Sequence, residues 1–291
     1  MAGDRINEFG FAPAHDRPIP YIQRISDYYR ALGYGAPYEW AHYAQVPFQT
    51  LAKPLAESRV AIITTAAPYQ PDKGDQGPGA PYNAAAKFYD VYSGDTSRDH
   101  DLRISHVAID RKHTTAEDPG TYFPLSQLRQ AAACGRIGSI APRFHGLPTN
   151  RSHRRTLDVD CQEIVDRCRG IATVIMGCAK DIVEFVGVPR LLFSDFPLGN
   201  GAGRPNDVTS QTFTLELALS VLETAPCART TVQSPLVWSR NPDWKLDFMS
   251  HSELSAEEIA RRRADFDKQK AVAKALREES GNIESDVVAI A

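Results

Sequence analysis

The stretch that most restricts the fold is IATVIMGCAKDIVEFVGVPRLLFSDFP, residues 171–197. A β-branched apolar run ends at Gly177 and Cys178. An amphipathic pattern follows, Gly187 and Pro189 close it, and a second apolar run begins at Arg190. Strands buried on both faces read as continuous apolar runs, and a helical crossover between two of them makes them parallel. A parallel pair needs cover on both faces, so the rest of the chain has to supply helices.

It does so by alternation. SRVAIITTAAPY predicts a strand over about 59–65, RISHVAID a strand over 103–110 and RIGSIAPRF a short one after it. PLSQLRQAAACG predicts a helix ending at Gly135, TLDVDCQEIVDRCRG an amphipathic helix ending at Gly170, and NDVTSQTFTLELALSVLETA a long helix capped by Asn206 or Asp207. The expected fold is α/β, a doubly wound and mainly parallel sheet with helical N- and C-terminal extensions. Residues 1–57 read as the N-terminal extension, with helices in YIQRISDYYRALGYG and VPFQTLAKPLAES; 58–250 as the core domain; and 251–291 as a charged C-terminal helix and tail opened by the capping pair Ser255 and Glu258. The thin apolar face of that tail suits packing on the domain edge or on a second copy, so a homo-oligomer is expected. Residues 68–100 form a long Pro/Gly/Asp-rich loop, the length at which a lid or interface arm is expected.

The chain has 291 residues, 42% hydrophobic and 24% charged, with a net charge of −3. That near-neutral balance gives no global pull toward nucleic acid or anionic lipid. No apolar run is long enough for a membrane span, and MAGDRINEFGFAPAHDRP lacks the apolar core of a secretory leader; a cytoplasmic protein is expected. Five cysteines without CxxC spacing argue against a disulfide framework and against a zinc ribbon.

Ligands of open α/β sheets bind outside the carboxyl ends of the strands. Those ends carry Thr64 and Thr65; Ser105, His106, Asp110 and His113; Arg143 and His145; Gly177 and Cys178; and the segment from Ser194 to Asp207. Cys178 falls at the start of a helix, where free N–H groups favour a thiolate, the nucleophilic form; a small apolar filler at a βα turn is the competing reading. Cys161 and Cys168 lie on the apolar stripe of their helix, and Cys134 and Cys227 have no local partner. Strand alternation would put His106 and Asp110 on one face with His113 just beyond, a set able to move protons or, with a divalent metal, to act as ligands, His145 joining them. Gly199, Gly201 and Gly203 with Arg204 would hold an anionic group, Asp195 and Asn200 join them as substrate-binding residues, and Gly177 would let a substrate approach the backbone. The basic run Arg143, His145, Arg151, His153, Arg154 and Arg155 reads either as anion recognition or as a solvated face.

The series LRISH, ID, FPLSQLR and GRIGSIAPR, followed by VIMGCAKDIVEFVGVPRLLFSDFPLGN and GRPND, resembles the selenoprotein B family: component B of the glycine, sarcosine and betaine reductases, with the D-proline reductase subunit as a relative. The likeness runs over about 59–240. It implies an oxidoreductase whose selenocysteine or cysteine, here Cys178, attacks a small polar substrate and cleaves a carbon–heteroatom bond, often C–N, with a thiol protein as electron donor and no organic cofactor. Two features depart from that pattern. Ala179, Lys180, Asp181 and Ile182 provide no second thiol beside Cys178, and Cys178 stands closer to VGVPR than the family selenocysteine does.

Three functions follow as expectations. In the first, Cys178 is the nucleophile, His106, Asp110 or His113 moves the proton, Thr65, Arg143, His145, Arg204 and the glycines bind substrate, and Lys180 or Arg143 adds positive charge. In the second, His106, Asp110 and His113 hold a metal in a lyase or hydrolase. In the third, the chain is a non-catalytic subunit whose long loop and C-terminal helix are contact elements.

Overall fold

The computed structural model describes residues 16–35, 38–88, 90–104, 106–147, 164, 170–252 and 254–279. These form a mixed α/β structure. Strand β1 (Arg59–Val60) pairs in parallel with β6 (Ser139–Ile140), and β2 (Ile63–Thr64) with β7 (Arg143–Gly146). Hydrogen bonds from Ala141 to Val60 and from His145 to Ile62 carry the pairing between them, so 59–64 and 139–146 run side by side. On its other edge β7 takes β4 (Tyr92–Asp95) antiparallel, and β3 (Ala67–Pro68) pairs antiparallel with β5 (Leu102–Arg103).

The all-parallel part is the three-stranded sheet β8 (Ile175–Gly177), β9 (Arg190–Phe193) and β10 (Thr230–Gln233), with β9 central. Helix α3 (Lys180–Val186) joins the first two and α4 (Val208–Thr224) the last two. This is the crossover predicted from residues 171–197. Leu191, Leu192 and Phe193 are wholly buried, each such side chain contributing about 1.5–3 kcal/mol. Asp207 caps α4 by accepting from the Ser210 N–H at 3.0 Å, as its position predicts.

Helix α1 (Tyr21–Ala31) buries Tyr21, Ile25 and Tyr29 in a cluster with Ala108, Ala179, Trp244 and Phe248. It therefore packs over the β8–α3 junction, together with the short helix α5 (Trp244–Asp247). A second cluster joins α2 (Leu125–Ala133) to α4 through Leu128, Leu215 and Leu219. The C-terminal helix α6 (Ala256–Glu279) starts where the Ser255 hydroxyl caps the Glu258 N–H. It lays Ile259 and Phe266 on the α1 cluster, and its Gln269 accepts from the Ala84 N–H at 3.0 Å. No helix among the described residues is long and apolar enough to cross a membrane.

Three predicted elements differ. The loop predicted over 68–100 contains strand β4, which finds a partner in β7. VPFQTLAKPLAES forms only a 3₁₀ turn at Leu55–Glu57, because Pro54 lacks an N–H and biases Lys53 away from helical backbone. The strand predicted over 103–110 ends at Arg103. Beyond it the Asp110 N–H donates to the Leu198 carbonyl, and the Asp110 carbonyl accepts from both His113 and Thr114. A contact with the loop after β9 replaces strand pairing there. The helix predicted over TLDVDCQEIVDRCRG, with Cys161 and Cys168, lies outside the described residues apart from Ile164 and Gly170, as do Ser105, Arg151, His153, Arg154 and Arg155.

Candidate functional site

Cys178 follows the last residue of β8 and is 5% exposed. The loop after β9 folds over it. Gly201 makes this closeness feasible: a Cβ there would stand 3.1 Å from the Met176 carbonyl and 3.3 Å from Gly177 Cα. Gly199 holds φ +117°, a conformation that essentially only glycine adopts, with a Cβ position 2.8 Å from Ile109. The loop brings the N–H groups of Phe196, Gly199 and Asn200 near the sulfur, with the Phe196 N–H donating to the Ser194 carbonyl at 2.8 Å and the Asn200 N–H to the Pro197 carbonyl at 3.2 Å. These favour the thiolate, but burial outweighs them and the Asp195 charge opposes ionisation as well. The thiol is pushed up to about 12.

Gly177 is not sterically required, since a Cβ there meets only ordinary contacts, the nearest 3.7 Å from Leu191. Lys180 does not supply charge to the sulfur by any described contact; its ammonium lies 5.7 Å above the Phe193 ring.

Near Cys178 and Tyr21 lies a partly buried set of polar residues. Asp195, directly after β9, takes an ion pair from Lys245, which is 5% exposed. The Tyr21 hydroxyl is within electrostatic reach of Cys178, Asp110, Asp195 and Asp181, and burial raises its pKa well above the ordinary value. Asp181 itself accepts from the Ile22 N–H at 2.9 Å, fastening α1 to α3. His113 Nδ1 lies 3.0 Å from both Asp110 carboxylate oxygens, and its Nε2 lies 3.2 Å from Asp247.

Asp110 and His113 are therefore brought together, and His106 is not part of their pair. Its Nδ1 accepts from the Ala108 N–H at 3.2 Å. Burial, with Lys87 and Arg111 nearby, pushes it down to about 4. This is the local result of the missing strand: alternation no longer sets His106 and Asp110 on one face. Among the described residues no group of three or more His, Cys, Asp or Glu side chains is placed to hold a metal ion.

The remaining predicted residues divide. Asn200 is fully buried; its side chain donates to the Pro197 carbonyl and accepts from Thr114. Arg204 is committed to the start of α4, with Nη2 2.9 Å from Asp207 and Nη1 on the Val237 carbonyl. Arg143 and His145 sit on β7, where Arg143 donates to Ser93; Thr65 is exposed beyond β2. These belong to the sheet containing β7, not to the one that ends at Cys178. Cys134 and Cys227 are exposed.

Tyr21, Lys245 and Asp247 escape a reading based on strand ends, because they lie on helices far along the chain. The only local signal is an apolar pattern around Tyr21 and Trp244 with charged residues set among it. Comparison of the chain with protein-family models, with curated proteins and with solved structures gave no match.

Proposed function

We propose that this chain is a thiol-dependent enzyme of the selenoprotein B type that cleaves a carbon–heteroatom bond, C–N foremost, of a small polar substrate, with Cys178 as nucleophile. One observation carries the reading: Cys178 stands at the carboxyl end of a parallel strand, at the turn into α3 and under the loop that follows β9. The carboxyl ends of parallel strands are where open α/β sheets place their reactive groups.

At rest the thiol is protonated, so chemistry begins when substrate displaces part of the cover formed by α1. The Tyr21 hydroxyl then connects the thiol to Asp110 and His113, which receive the proton. Attack forms a C–S bond as the C–N bond breaks and the amine leaves with a proton. A dithiol protein next supplies two electrons: the carbon departs as C–H, Cys178 regains its thiol, and the donor becomes a disulfide. No second cysteine follows Cys178 in α3, so the donor provides both sulfurs. On the same reading the strands belong to one doubly wound, mainly parallel core, and the protein works in the cytoplasm as a homo-oligomer.

The test is incubation with a panel of small amines and betaines plus a dithiol, followed by mass spectrometry. A substrate-derived adduct on Cys178, absent from Cys178→Ala, is the expected result. Turnover undiminished in Cys178→Ala overturns the reading.

A further inference from the structure

The long loop after β3 does not lie loose. The Gln76 side chain accepts from the Gln70 N–H and donates to the Gln70 carbonyl, and the Asn83 side chain donates to the carbonyls of Lys73 and Asp75. Held in this way, residues 75–86 form one wall of a cleft whose other wall is the segment 103–116. The cleft is open to solvent, with a cavity of about 40 Å3, and Cys178 is not among its lining residues.

The charge of this cleft is uneven. Arg103 is neutralised by Asp101 through two hydrogen bonds. Arg111 makes no ion pair among the described residues. Its Nε donates to the Ala80 carbonyl and its Nη1 to the carbonyls of His106 and Val107, which leaves Nη2 without a hydrogen bond among the described residues. Three carbonyls fix the guanidinium plane without cancelling its charge. Burial destabilises that charge, pushing the group down to about 10, and the neighbouring His106 carries no charge at neutral pH to offset it or add to it. A fixed, half-desolvated guanidinium with a free edge is the standard means of gripping a planar anion.

We propose that this cleft binds a small monocarboxylate, with its carboxylate on Arg111 and its body between Asn83, Thr114 and Thr115. Asp75 on the facing wall supplies a negative charge that disfavours a dianion, which is why a carboxylate rather than a phosphate is assigned. The site does not depend on Cys178 being reactive. It is nonetheless coupled to that residue's surroundings: Thr114 bonds Asn200, and Ile109 packs against Gly199.

Propionate is the probe, titrated against the whole chain and followed by ligand-observed saturation-transfer NMR, with inorganic phosphate and chloride at matched ionic strength as comparisons. Arg111→Gln is expected to weaken propionate roughly 10- to 100-fold, the loss of a charge-assisted hydrogen bond. Should Arg111→Gln not fold, Thr115→Glu serves: Thr115 is exposed, and a carboxylate placed in the cleft would compete for Arg111 and abolish binding. Cys178→Ala should bind as the unmodified chain does, which separates this site from the thiol chemistry. Equal affinity with and without the Arg111 charge, phosphate binding as tightly as propionate, or no propionate binding at all overturns the proposal.

Discussion

The Thr114 hydroxyl donates to Asn200 Oδ1 across 3.3 Å, and both side chains are buried. This bond ties the turn carrying Asp110 and His113 to the loop that folds over Cys178. Thr114→Val keeps the volume and strands the Asn200 oxygen, at a cost of about 1–3 kcal/mol. Urea unfolding should show that loss. Alkylation of Cys178 in native protein should also speed up as the loop slackens; an unchanged rate would mean that the loop is held by its glycines alone.

Cys178 should react last among the described cysteines. At neutral pH a thiol pushed up to about 12 holds almost no thiolate, whereas Cys134 and Cys227 are exposed. The sign of the stability effect follows. An unfolded cysteine loses its proton near pH ~8.5, while the folded one keeps it, so between there and about 12 the unfolded state binds fewer protons and stability falls as pH rises. Cys178→Ala should flatten that alkaline decline in guanidinium titrations. A decline identical in both proteins would place its source elsewhere.

The Lys245–Asp195 pair is the other buried charge contact beside the thiol. Lys245→Ala leaves Asp195 facing Cys178 without its cation, and removing one partner of such a pair costs about 3–5 kcal/mol. The double variant Asp195→Asn, Lys245→Met should recover most of it. A double-mutant cycle with no coupling energy would show that the pair is solvated in solution.

His106 should stay neutral through the physiological range. Its folded pKa of about 4 lies below the ordinary value near 6.5, so between those limits the unfolded state binds the extra proton and stability drops as pH falls. Imidazole resonances assigned by comparison with His106→Gln should show no midpoint between about pH 5 and 8, the range in which an unperturbed histidine titrates. A midpoint there would mean that the ring is open to water.

Much of the parallel sheet and its crossovers was legible in residues 171–233, because apolar runs, Gly187 and the cap at Asp207 each have one reading. The position of Cys178 at a strand end came from the same signal. Its protonation state did not, since the cluster that packs on the neighbouring Ala179 draws Tyr21 and Trp244 from helices distant in the chain. The His106–Asp110 face was misread for a related reason. Alternating residues suggest a strand, but only a pairing partner makes one, and past Arg103 the Asp110 N–H meets the Leu198 carbonyl instead. The pairing of Arg204 with Asp207, three residues on, was not anticipated from the sequence.

The cover over Cys178 joins the beginning of the described chain to a segment near its end: Tyr21 stacks edge-on against Phe248 at 4.8 Å, and Arg24 donates to the Lys245 and Phe248 carbonyls. Synthesis proceeds from one end to the other, so strand β8 and its thiol leave the ribosome well before the segment that completes their cover. The newborn chain therefore passes through an interval in which Cys178 is open to oxidants and to other thiols, and a nonsense mutation just ahead of Trp244 would make that interval permanent.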